Sequence, residues 1–407
     1  MRVVITHMQF SLYWSSRLRA LAKVLRARGG ELTALDVGSD ESRLPGGDAS
    51  GLAADGYTYE RLFPDRRIAD LLPRAVAKAL WEAFERLCPD AILAGAIAFP
   101  TGATAVRWCR RRHRAAIIMD DVRLQDVPRP RLVNWVKRRV YRNVDAVVTA
   151  ARSHSGTYKA WGMDDERIFF GITVVDNEWF STCCDKVRSE RQKYAETAKI
   201  SAPYFLGVGR LIAAKNWGAL LTAYACYRLR DAGKPWGLVL VGDGPEREAL
   251  EQEVERLGLE GVRLLPARSQ EELCRVYAEA GCLILPSFSE TWGLVVNEAM
   301  ACSLPVLVSN RCGCVESLIQ QGVNGWTFDP HDLDELAGLM FRVAAMTAEE
   351  RANLGGRGRE IVADWSPERF AQGAWAAIQY CKDARRGFAS PLDRAILWLW
   401  KGRYRLT

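Results

Sequence analysis

Two glutamates lie eight residues apart in residues 287–306, SFSETWGLVVNEAMACSLPV, with Glu290 and Glu298 on either side of an apolar segment. Carboxylates accept hydrogen bonds from hydroxyl groups such as those of sugars. The glycine of this stretch begins a predicted helix, whose first backbone N–H groups favour an anion. Those groups belong to Gly293, Leu294 and Val295. The simpler interpretation is that Glu290 lies in a loop and that Glu298 lies on a solvated helix face.

Two cations stand five residues apart in residues 205–216, FLGVGRLIAAKN, after a predicted strand. Gly209 allows a ligand to approach the backbone closely. Arg210 offers a planar fork and Lys215 a point charge, a pair that suits a diphosphate. The alternative is that both are ordinary surface cations. A dinucleotide-binding loop is disfavoured, because Ile212 replaces the third glycine of that motif and no acidic residue between positions 207 and 226 could bind a ribose.

These residues together describe a site for a nucleotide sugar, in which the helix start and the two cations bind phosphates and the carboxylates bind sugar hydroxyls. In folds that bind nucleotide sugars, recognition of the base can rest on backbone groups, which here are expected near Ala267 and Arg268. No metal ion or other cofactor is predicted. The chain has only four histidines, and its eleven cysteines lack the paired spacing of a zinc site.

The elements that would position the site alternate between strands and helices in both halves of the chain. The predicted strands are short, apolar and β-branched, as in parallel sheets buried on both faces. They cover residues 3–6, 91–94, 115–119, 146–149, 204–208, 237–241, 262–265, 282–285 and 306–308. Predicted helices include residues 16–28, 131–142, 217–230, 245–257 and 270–280. The predicted fold class is α/β, with two doubly wound, Rossmann-like domains facing each other across a cleft at the carboxyl ends of their strands.

The domain boundaries follow from the polar segment DKVRSERQKYAETAKIS, which carries many charges and no strand pattern. We predict a first Rossmann-like domain over residues 1–184, a linker over 185–201 and a second Rossmann-like domain, which carries the predicted nucleotide-sugar site, over 202–364. A break at DWSP precedes a C-terminal helix over residues 365–381, which is predicted to return to the first domain. Residues 382–407 form a basic, aromatic tail.

The composition is that of a soluble globular protein, with 407 residues of which 49% are hydrophobic and 26% are charged. No uninterrupted apolar run reaches the roughly 18 residues that a membrane-spanning helix needs. The start, MRVVITHMQF, is predicted as a strand and lacks the features of a signal peptide. We therefore expect a cytoplasmic protein with free thiols.

The net charge of +7 is unevenly distributed: +7 in residues 1–180, −5 in 181–380 and +5 in 381–407. Basic stretches with aromatic residues are WCRRRHR (108–114), WVKRRVYR (135–142) and LDRAILWLWKGRYR (392–405). They predict an interfacial surface that holds the first domain on an anionic membrane, peripherally on the inner face of the cell membrane. The alternatives are a solvated arginine-rich surface and a tail whose tryptophans pack back on the first domain. Nucleic-acid binding is disfavoured, because no reader motif accompanies the charge.

Four ordered segments resemble the donor domain of the group 1, or family 4, retaining glycosyltransferases, which have the GT-B fold. They are GVGRLIAAKN, LVGDGPER, ILPSFSETWGLVVNEAMACSLPV and CGCVESLIQQGVNGWTFDP, within residues 205–330. The segment VVDNEWF (174–180) resembles the family's approach to the linker, and the likeness is looser before it. The resemblance implies transfer of a sugar from a nucleoside diphosphate sugar to a hydroxylated glycan or lipid-linked acceptor, with retention of configuration, in surface-polysaccharide or glycolipid biosynthesis.

The resemblance also implies roles for single residues. Arg210 and Lys215 would bind the donor diphosphate and stabilise the leaving nucleoside diphosphate. Glu298 would bind the ribose hydroxyls, and Glu290 would bind hydroxyls of the transferred sugar beside the anomeric carbon. The family's chemistry is commonly described as front-face attack, in which a donor phosphate oxygen takes the acceptor's proton. Such chemistry requires mainly charge stabilisation and positioning from the protein.

The first half departs from the family where many members have a His-Asp pair facing the donor sugar. Here residues 116–122 read AIIMDDV, with Asp120 at the histidine position and Asp121 beside it. Asp120 is predicted to contact sugar or acceptor hydroxyls, and Asp121 and His7 are further candidates; the alternative is an aspartate with no role in the site. The departure motivates a second hypothesis, a non-catalytic GT-B protein that binds a nucleotide sugar or a partner. A third is a phosphorylase carrying pyridoxal phosphate.

Overall fold

The strands of the protein form two separate parallel sheets. The computed structural model describes residues 1–10, 13–38, 56–126, 129–190, 203–230, 235–382 and 387–402. The described residues divide into two units. The first unit contains the residues up to Val174 and those from Pro367 onward, and the second contains Val175–Ser366. Two doubly wound parallel sheets, one in each unit, confirm the predicted α/β fold class.

Over the described residues, the first sheet has seven strands in the order β3-β2-β1-β4-β5-β6-β7, and the second has six in the order β10-β9-β8-β11-β12-β13. The first set is β1 (Arg2–His7), β2 (Glu31–Asp36), β3 (Thr58–Arg61), β4 (Ala91–Ala94), β5 (Ala115–Met119), β6 (Ala146–Thr149) and β7 (Ile168–Phe170). The second set is β8 (Tyr204–Val208), β9 (Gly237–Val241), β10 (Val262–Leu265), β11 (Cys282–Leu285), β12 (Val306–Ser309) and β13 (Gly325–Phe328).

Helices connect the strands and cover the sheets. Those of the first unit are α1 (Trp14–Arg26), α2 (Pro73–Leu87), α3 (Pro100–Arg112), α4 (Arg131–Tyr141) and α5 (Ser155–Ala160). The second unit contains α6 (Asn177–Ser189), α7 (Trp217–Arg230), α8 (Arg247–Arg256), α9 (Gln270–Glu279), α10 (Leu294–Ala301), α11 (Val315–Leu318), α12 (Leu333–Ala344) and α13 (Ala348–Val362). The chain then returns to the first unit with α14 (Pro367–Tyr380) and α15 (Pro391–Leu399).

The central strands are buried on both faces, which explains their unbroken apolar sequences. Every residue of β4, β5, β6 and β8 is buried. In the first core, Ile92, Ile118 and Val147 come from neighbouring strands. The second core is built in the same way from residues such as Leu240 and Ile284. Each sheet therefore has a rigid centre from which loops project at the carboxyl ends.

The strand order reverses at one place in each sheet, between β1 and β4 in the first and between β8 and β11 in the second. The connections after these strands leave in opposite directions, so a crevice opens where the order reverses. Ligands of open parallel sheets bind at such switch points. The second switch point lies between the loops that carry Arg210 and Lys215 on one side and Glu290 on the other.

The boundary between the units lies earlier than the one predicted at residue 184. Helix α6 belongs to the second unit, where Phe180 packs edge-on against Tyr277, with ring centroids 6.4 Å apart. Asp176 begins the helix by accepting a hydrogen bond from the Trp179 amide at 3.1 Å. The first residues of the predicted linker therefore continue a packed helix, and residues 191–201 of that prediction lie outside the described residues.

Candidate functional site

The two loops at the switch point of the second sheet are joined by an ion pair between Lys215 and Glu290. Both side chains are largely shielded, with 14% and 18% exposed. Backbone bonds hold the loops in register, since the Phe288 amide donates to the Ala214 carbonyl at 3.0 Å. The Gly313 amide likewise donates to the Glu290 carbonyl at 3.0 Å. The structure thus brings together two predicted site residues that are 75 positions apart.

Asn216 connects three loops at this edge of the sheet. Its backbone is left-handed, with φ of 58°, a conformation that asparagine tolerates better than most residues. Its buried side-chain amide donates to the carbonyls of Pro286 at 3.2 Å and Pro330 at 3.1 Å. The Asn216 side chain therefore connects the loop after β8 to the loops after β11 and β13.

Close backbone contacts fix the position of the loop that contains Arg210. A Cβ on Gly242 would lie 1.9 Å from the Gly209 carbonyl oxygen, so only glycine fits between these two turns. A Cβ on Gly209 would lie 3.5 Å from Lys215 Cε, so the backbone at Gly209 lies beside the lysine side chain. The Arg210 carbonyl accepts a hydrogen bond from the Trp217 indole at 2.9 Å, while Arg210 itself is exposed.

Helix α10 begins at the switch point with Gly293 in a conformation that favours glycine, φ of 102° and ψ of 64°. A Cβ here would lie 2.8 Å from Leu285 Cδ2 and 3.5 Å from Glu290 Cγ. The next two amides, of Leu294 and Val295, belong to the first turn, whose N–H groups have no partner within a helix. Because the helix dipole is positive here, this end favours an anion.

Glu298 is almost completely buried on α10, with only 1% of the residue exposed. It accepts a hydrogen bond from the Tyr277 hydroxyl at 2.6 Å. The simpler interpretation, in which Glu298 lies on a solvated helix face, is therefore wrong. Tyr277, which sequence reasoning did not select, orients the carboxylate, and the ribose-binding role of Glu298 stays a prediction.

Arg268 follows β10 at the same edge of the sheet. Its side chain is half exposed and pairs with Glu272 at 2.9 Å. Glu272 also completes the capping box of α9 with Ser269, so one arm of Arg268 is held by the helix start. The neighbouring amide of Ala267 donates to Asp243 at 2.8 Å. These contacts fix the backbone of the segment that we predicted to meet the base.

In the first unit, His7 ends β1 beside the switch point of the first sheet. A Cβ on Gly95, which follows β4, would lie 3.1 Å from the His7 ring. The His7 Nδ1 lies 2.9 Å from the Gln9 carbonyl oxygen, and because that oxygen can only accept, Nδ1 donates. Burial lowers the pKa of His7 below its usual value of 6.5. The ring is therefore neutral at pH 7, with Nε2 as an acceptor.

Asp120 lies in a buried polar cluster at the end of β5. The Tyr141 hydroxyl donates to its carboxylate at 3.2 Å, and the Tyr158 hydroxyl donates to its backbone carbonyl. Burial raises the pKa of Asp120 to about 6, against the opposing charge of Lys137. Lys137 itself lies 4.3 Å above the Trp161 ring. Only 8% of Asp120 is exposed, and its contact with sugar or acceptor hydroxyls stays a prediction.

Arg17 is a buried cation that sequence reasoning missed. It lies on α1 with 5% exposed and donates from Nε and Nη2 to the Val174 carbonyl, the Nε bond measuring 3.1 Å. Burial lowers its pKa to about 10, while the charge of Asp121 raises it. Its sequence signal is its place on the apolar stripe of α1, between Trp14 and Leu18. Asp121 is half-buried, more open than Asp120.

Over the described ranges, no three His, Cys, Asp or Glu side chains form a group that could hold a metal ion. Within the same residues, no helix has the length and apolar composition needed to cross a membrane. The two units thus offer different chemistry: the second has cations and a helix start at its switch point, and the first has a neutral histidine with a buried arginine.

Comparison with known proteins connects this geometry to one family. Residues 189–361, which lie within the second unit, match the family described as "Glycosyl transferases group 1". D-inositol 3-phosphate glycosyltransferase of Saccharomonospora viridis is 34% identical over 189 residues, or 44% of this chain and 43% of the relative. The corresponding protein of Corynebacterium urealyticum is 25% identical over 279 residues, or 66% and 63%. These matches span less than two thirds of the length of the curated relatives.

Solved structures match over nearly the whole chain. Sucrose-phosphate synthase from Thermosynechococcus elongatus has a TM-score of 0.71 at 19% identity, covering 92% of this chain and 97% of that one. Anabaena HepE in complex with UDP and glucose has a TM-score of 0.68 at 18% identity, covering 93% and 99%. At such low identity the likeness shows the fold, which is GT-B with two Rossmann-like domains.

Proposed function

Because the second unit of this chain belongs to the group 1 glycosyl transferases and the fold is GT-B, we propose that the protein transfers a sugar from a nucleoside diphosphate sugar to a hydroxyl group of an acceptor. The observation that carries the proposal is the switch point of the second sheet. There the Lys215–Glu290 pair lies beside the first turn of α10. A diphosphate at this place would meet a cation and helix amides.

The charges suggest how each side chain acts. Lys215 and the exposed Arg210 stabilise the negative charge that develops on the leaving nucleoside diphosphate, as preorganised cations do in phosphate sites. Glu290, whose charge Lys215 balances, accepts hydroxyl hydrogen bonds from the transferred sugar. Glu298, oriented by Tyr277, binds the ribose. No metal ion or other cofactor takes part in this proposal.

The finer parts of the proposal concern the outcome and the acceptor. We infer retention of the anomeric configuration, and an acceptor that is a glycan or is lipid-linked, used in surface-polysaccharide or glycolipid biosynthesis. The relatives' name makes inositol 3-phosphate a further acceptor to test, and the HepE complex makes UDP the first nucleotide to test. A cytoplasmic location, peripheral on the inner face of the membrane, belongs to the same proposal.

Thermal stability in the presence of nucleotides tests the donor site. A ligand that binds only the folded state stabilises it by about 2.7 kcal/mol at 100 times its Kd. We expect one nucleoside diphosphate among UDP, GDP, ADP and TDP to raise Tm, and Arg210→Ala to abolish the shift. Arg357→Ala, which removes an exposed cation paired with Glu360 on α13, should keep it. No shift with any of these nucleotides would contradict the donor assignment.

Turnover tests the activity itself. With the sugar conjugate of the stabilising nucleotide and a hydroxylated acceptor, NMR should show a product with the donor's anomeric configuration. Lys215→Ala should lower kcat by about 10²–10³-fold, the loss seen when one group that stabilises developing charge is removed. Nucleotide binding without turnover on any acceptor would favour the non-catalytic GT-B protein. An inverted product would reject retention alone.

A further inference from the structure

Two adjoining cavities open on the first unit. The larger, about 610 Å³, lies between α3 and α15, and the smaller, about 300 Å³, lies along α2. Both are lined by Trp81, Arg107 and Lys401. We refer to them together as the basic cavity.

The lining of the basic cavity is strongly cationic. Its charged residues are Arg74, Lys78, Glu82, Arg107, Arg111, Arg394 and Lys401. The one carboxylate among them, Glu82, lies 3.8 Å from Lys78 in an exposed pair. Burial lowers the pKa of Lys401, and the charges of Arg107 and Arg74 lower it further. An anion in this cavity would relieve that repulsion between cations.

Arg107 provides a donor that needs an acceptor. Its guanidinium lies 5.6 Å from the Trp81 ring centroid. Its Nη1 atom is buried and has no hydrogen-bond partner within the part of the chain that the structure describes. Buried polar atoms in proteins nearly always have a partner. A phosphate oxygen is suited to this place, because guanidinium groups bind phosphates in a bidentate, charge-assisted way.

Exposed apolar side chains lie next to the cations. On α15, Trp398 is 67% and Leu399 is 70% exposed, and Leu72, two residues before Arg74, is 72% exposed. Cations that alternate with exposed tryptophan and leucine characterise surfaces that lie in the boundary between lipid headgroups and acyl chains. A soluble anion would gain nothing from contact with these apolar side chains, whereas a lipid would bury them. The lining therefore favours a lipid.

We propose that the basic cavity binds the phosphate of an anionic lipid headgroup, with Trp398 and Leu399 in the acyl boundary of the membrane. This extends the peripheral-membrane part of the proposed function by assigning it a defined site. The test uses neither nucleotide nor sugar donor, so failure of this inference and failure of the donor assignment are separate outcomes.

The position of the cavity connects it to the carboxyl edge of the first sheet. Trp400, next to Lys401, donates from its indole to the Ile97 carbonyl at 2.7 Å. Ile97 follows β4, one of the two strands at the switch point of that sheet. A lipid phosphate held by Lys401 therefore lies beside the edge where parallel sheets bind ligands.

Vesicle binding by the full chain tests the proposal. Phosphatidylcholine vesicles with and without phosphatidylglycerol supply the neutral surface and the anionic headgroup. We expect binding only with phosphatidylglycerol, weakened about fivefold by Arg394→Gln and by Lys401→Gln, the loss expected for one basic side chain near an anionic surface. Arg19→Gln removes an exposed cation from α1 and should change binding by less than twofold. Unchanged Tm values show that the variants are folded.

Three results would overturn the proposal. Equal weakening by Arg19→Gln and Lys401→Gln would show diffuse attraction of a basic surface, without a site. Full binding by both cavity variants would place the membrane contact elsewhere. Inorganic phosphate or glycerol 3-phosphate that raises Tm in a Lys401-dependent way, while vesicles do not bind, would show that the cavity takes a soluble phosphate.

Discussion

Gly293 decides where the first turn of α10 points. Its positive φ costs a residue with a Cβ about 1–2 kcal/mol, and the Cβ would also lie 2.8 Å from Leu285 Cδ2. We expect Gly293→Ala to move the helix start, to lower the free energy of unfolding by at least that amount and to weaken nucleotide binding. Calorimetric titration checks it against Gly218→Ala, whose Cβ would meet nothing within 4 Å. Equal affinity in both variants would show that the amides of α10 do not contact the nucleotide.

The raised pKa of Asp120 predicts that the free energy of unfolding depends on pH. Its pKa is raised from 3.8 to about 6 by burial, so the folded state binds this proton more tightly than the unfolded chain. The contribution of Asp120 to the free energy of unfolding is therefore complete below about pH 4 and is lost as pH rises to about 6. Asp120→Asn should gain roughly 3 kcal/mol relative to the wild type between pH 4 and pH 7.

Urea unfolding of both proteins across that pH range measures the difference. Asp145, paired with Arg110 in the same unit, serves as a comparison, since Asp145→Asn breaks a buried ion pair and should destabilise at pH 7. A constant difference between the wild type and Asp120→Asn would mean that the Asp120 carboxylate is solvated.

Residues that lie in a recognisable local motif could be anticipated better than those whose role depends on a partner far away in the sequence. Lys215 and Glu290 were selected from separate motifs, and the fold brings them into contact. Arg17, Tyr277 and the loop-joining amide of Asn216 depend on partners far away in the sequence. Nothing in the local pattern identifies such partners, so their roles become visible only in the folded chain.

At the scale of elements, the strands that sequence analysis found are mostly those in the centre of the sheets. Strands β4, β5, β6, β8, β9, β10 and β11 have the predicted bounds, with β10 as the one edge strand among them. The missed strands include β3 and β7, which lie at the two edges of the first sheet. Strand β3 has the largely polar sequence TYER, and β7 has only three residues, IFF, so neither presents the apolar run of four or more residues that predicts a buried strand.

Helix α15 is attached to the first unit by a buried ion pair. Arg139 Nε on α4 lies 2.6 Å from Asp393 Oδ1, with 18% and 0% of the side chains exposed, and Arg139 also donates to Ser390 at 3.1 Å. Leu397 is fully buried and Trp400 donates to the backbone. The tail thus packs partly back on the first unit, which agrees in part with the alternative in which its tryptophans pack on the first domain. Trp398, however, stays exposed. Residues 383–386 and 403–407 of the predicted tail are outside the described residues.

Arg139→Gln should detach this helix. Removing one partner of a buried pair leaves an uncompensated charge and costs about 3–5 kcal/mol. We expect faster protease cleavage near residue 390 and, if the basic cavity binds lipid, loss of vesicle binding as well. Arg142→Gln removes an exposed cation from the turn after the same helix and should leave cleavage unchanged. Slow cleavage of Arg139→Gln would show that packing around Leu397 suffices.

At the scale of the whole molecule, the first unit is discontinuous in sequence. Helix α14 packs against α1, with Trp14 and Phe370 rings 5.9 Å apart. It also approaches β7 so closely that a Cβ on Gly373 would lie 1.9 Å from the Phe170 carbonyl oxygen. The second unit is continuous, and Asn177 near its beginning donates to the carbonyls of Val362 at 2.7 Å and Trp365 at 3.1 Å near its end.

This discontinuity predicts unequal effects of truncation. A chain ending at residue 366 loses α14 and exposes the apolar face of α1, so we expect the first unit to unfold while the second keeps its structure. A chain ending at residue 382 keeps α14 and should keep both units folded. Limited proteolysis with mass spectrometry distinguishes the cases. Survival of the first unit in the shorter chain would mean that α14 is not needed for its core.

The same connectivity sets an order of events during synthesis. At ~5–20 residues per second, the ribosome needs on the order of ten seconds or more to make the second unit after it has finished β7. Throughout that interval the surface that later binds α14 is uncovered. The segment around Trp14 and Leu18 is then exposed to chaperones and to other nascent chains until α14 follows Val362 and Trp365, the residues on which Asn177 closes the second unit.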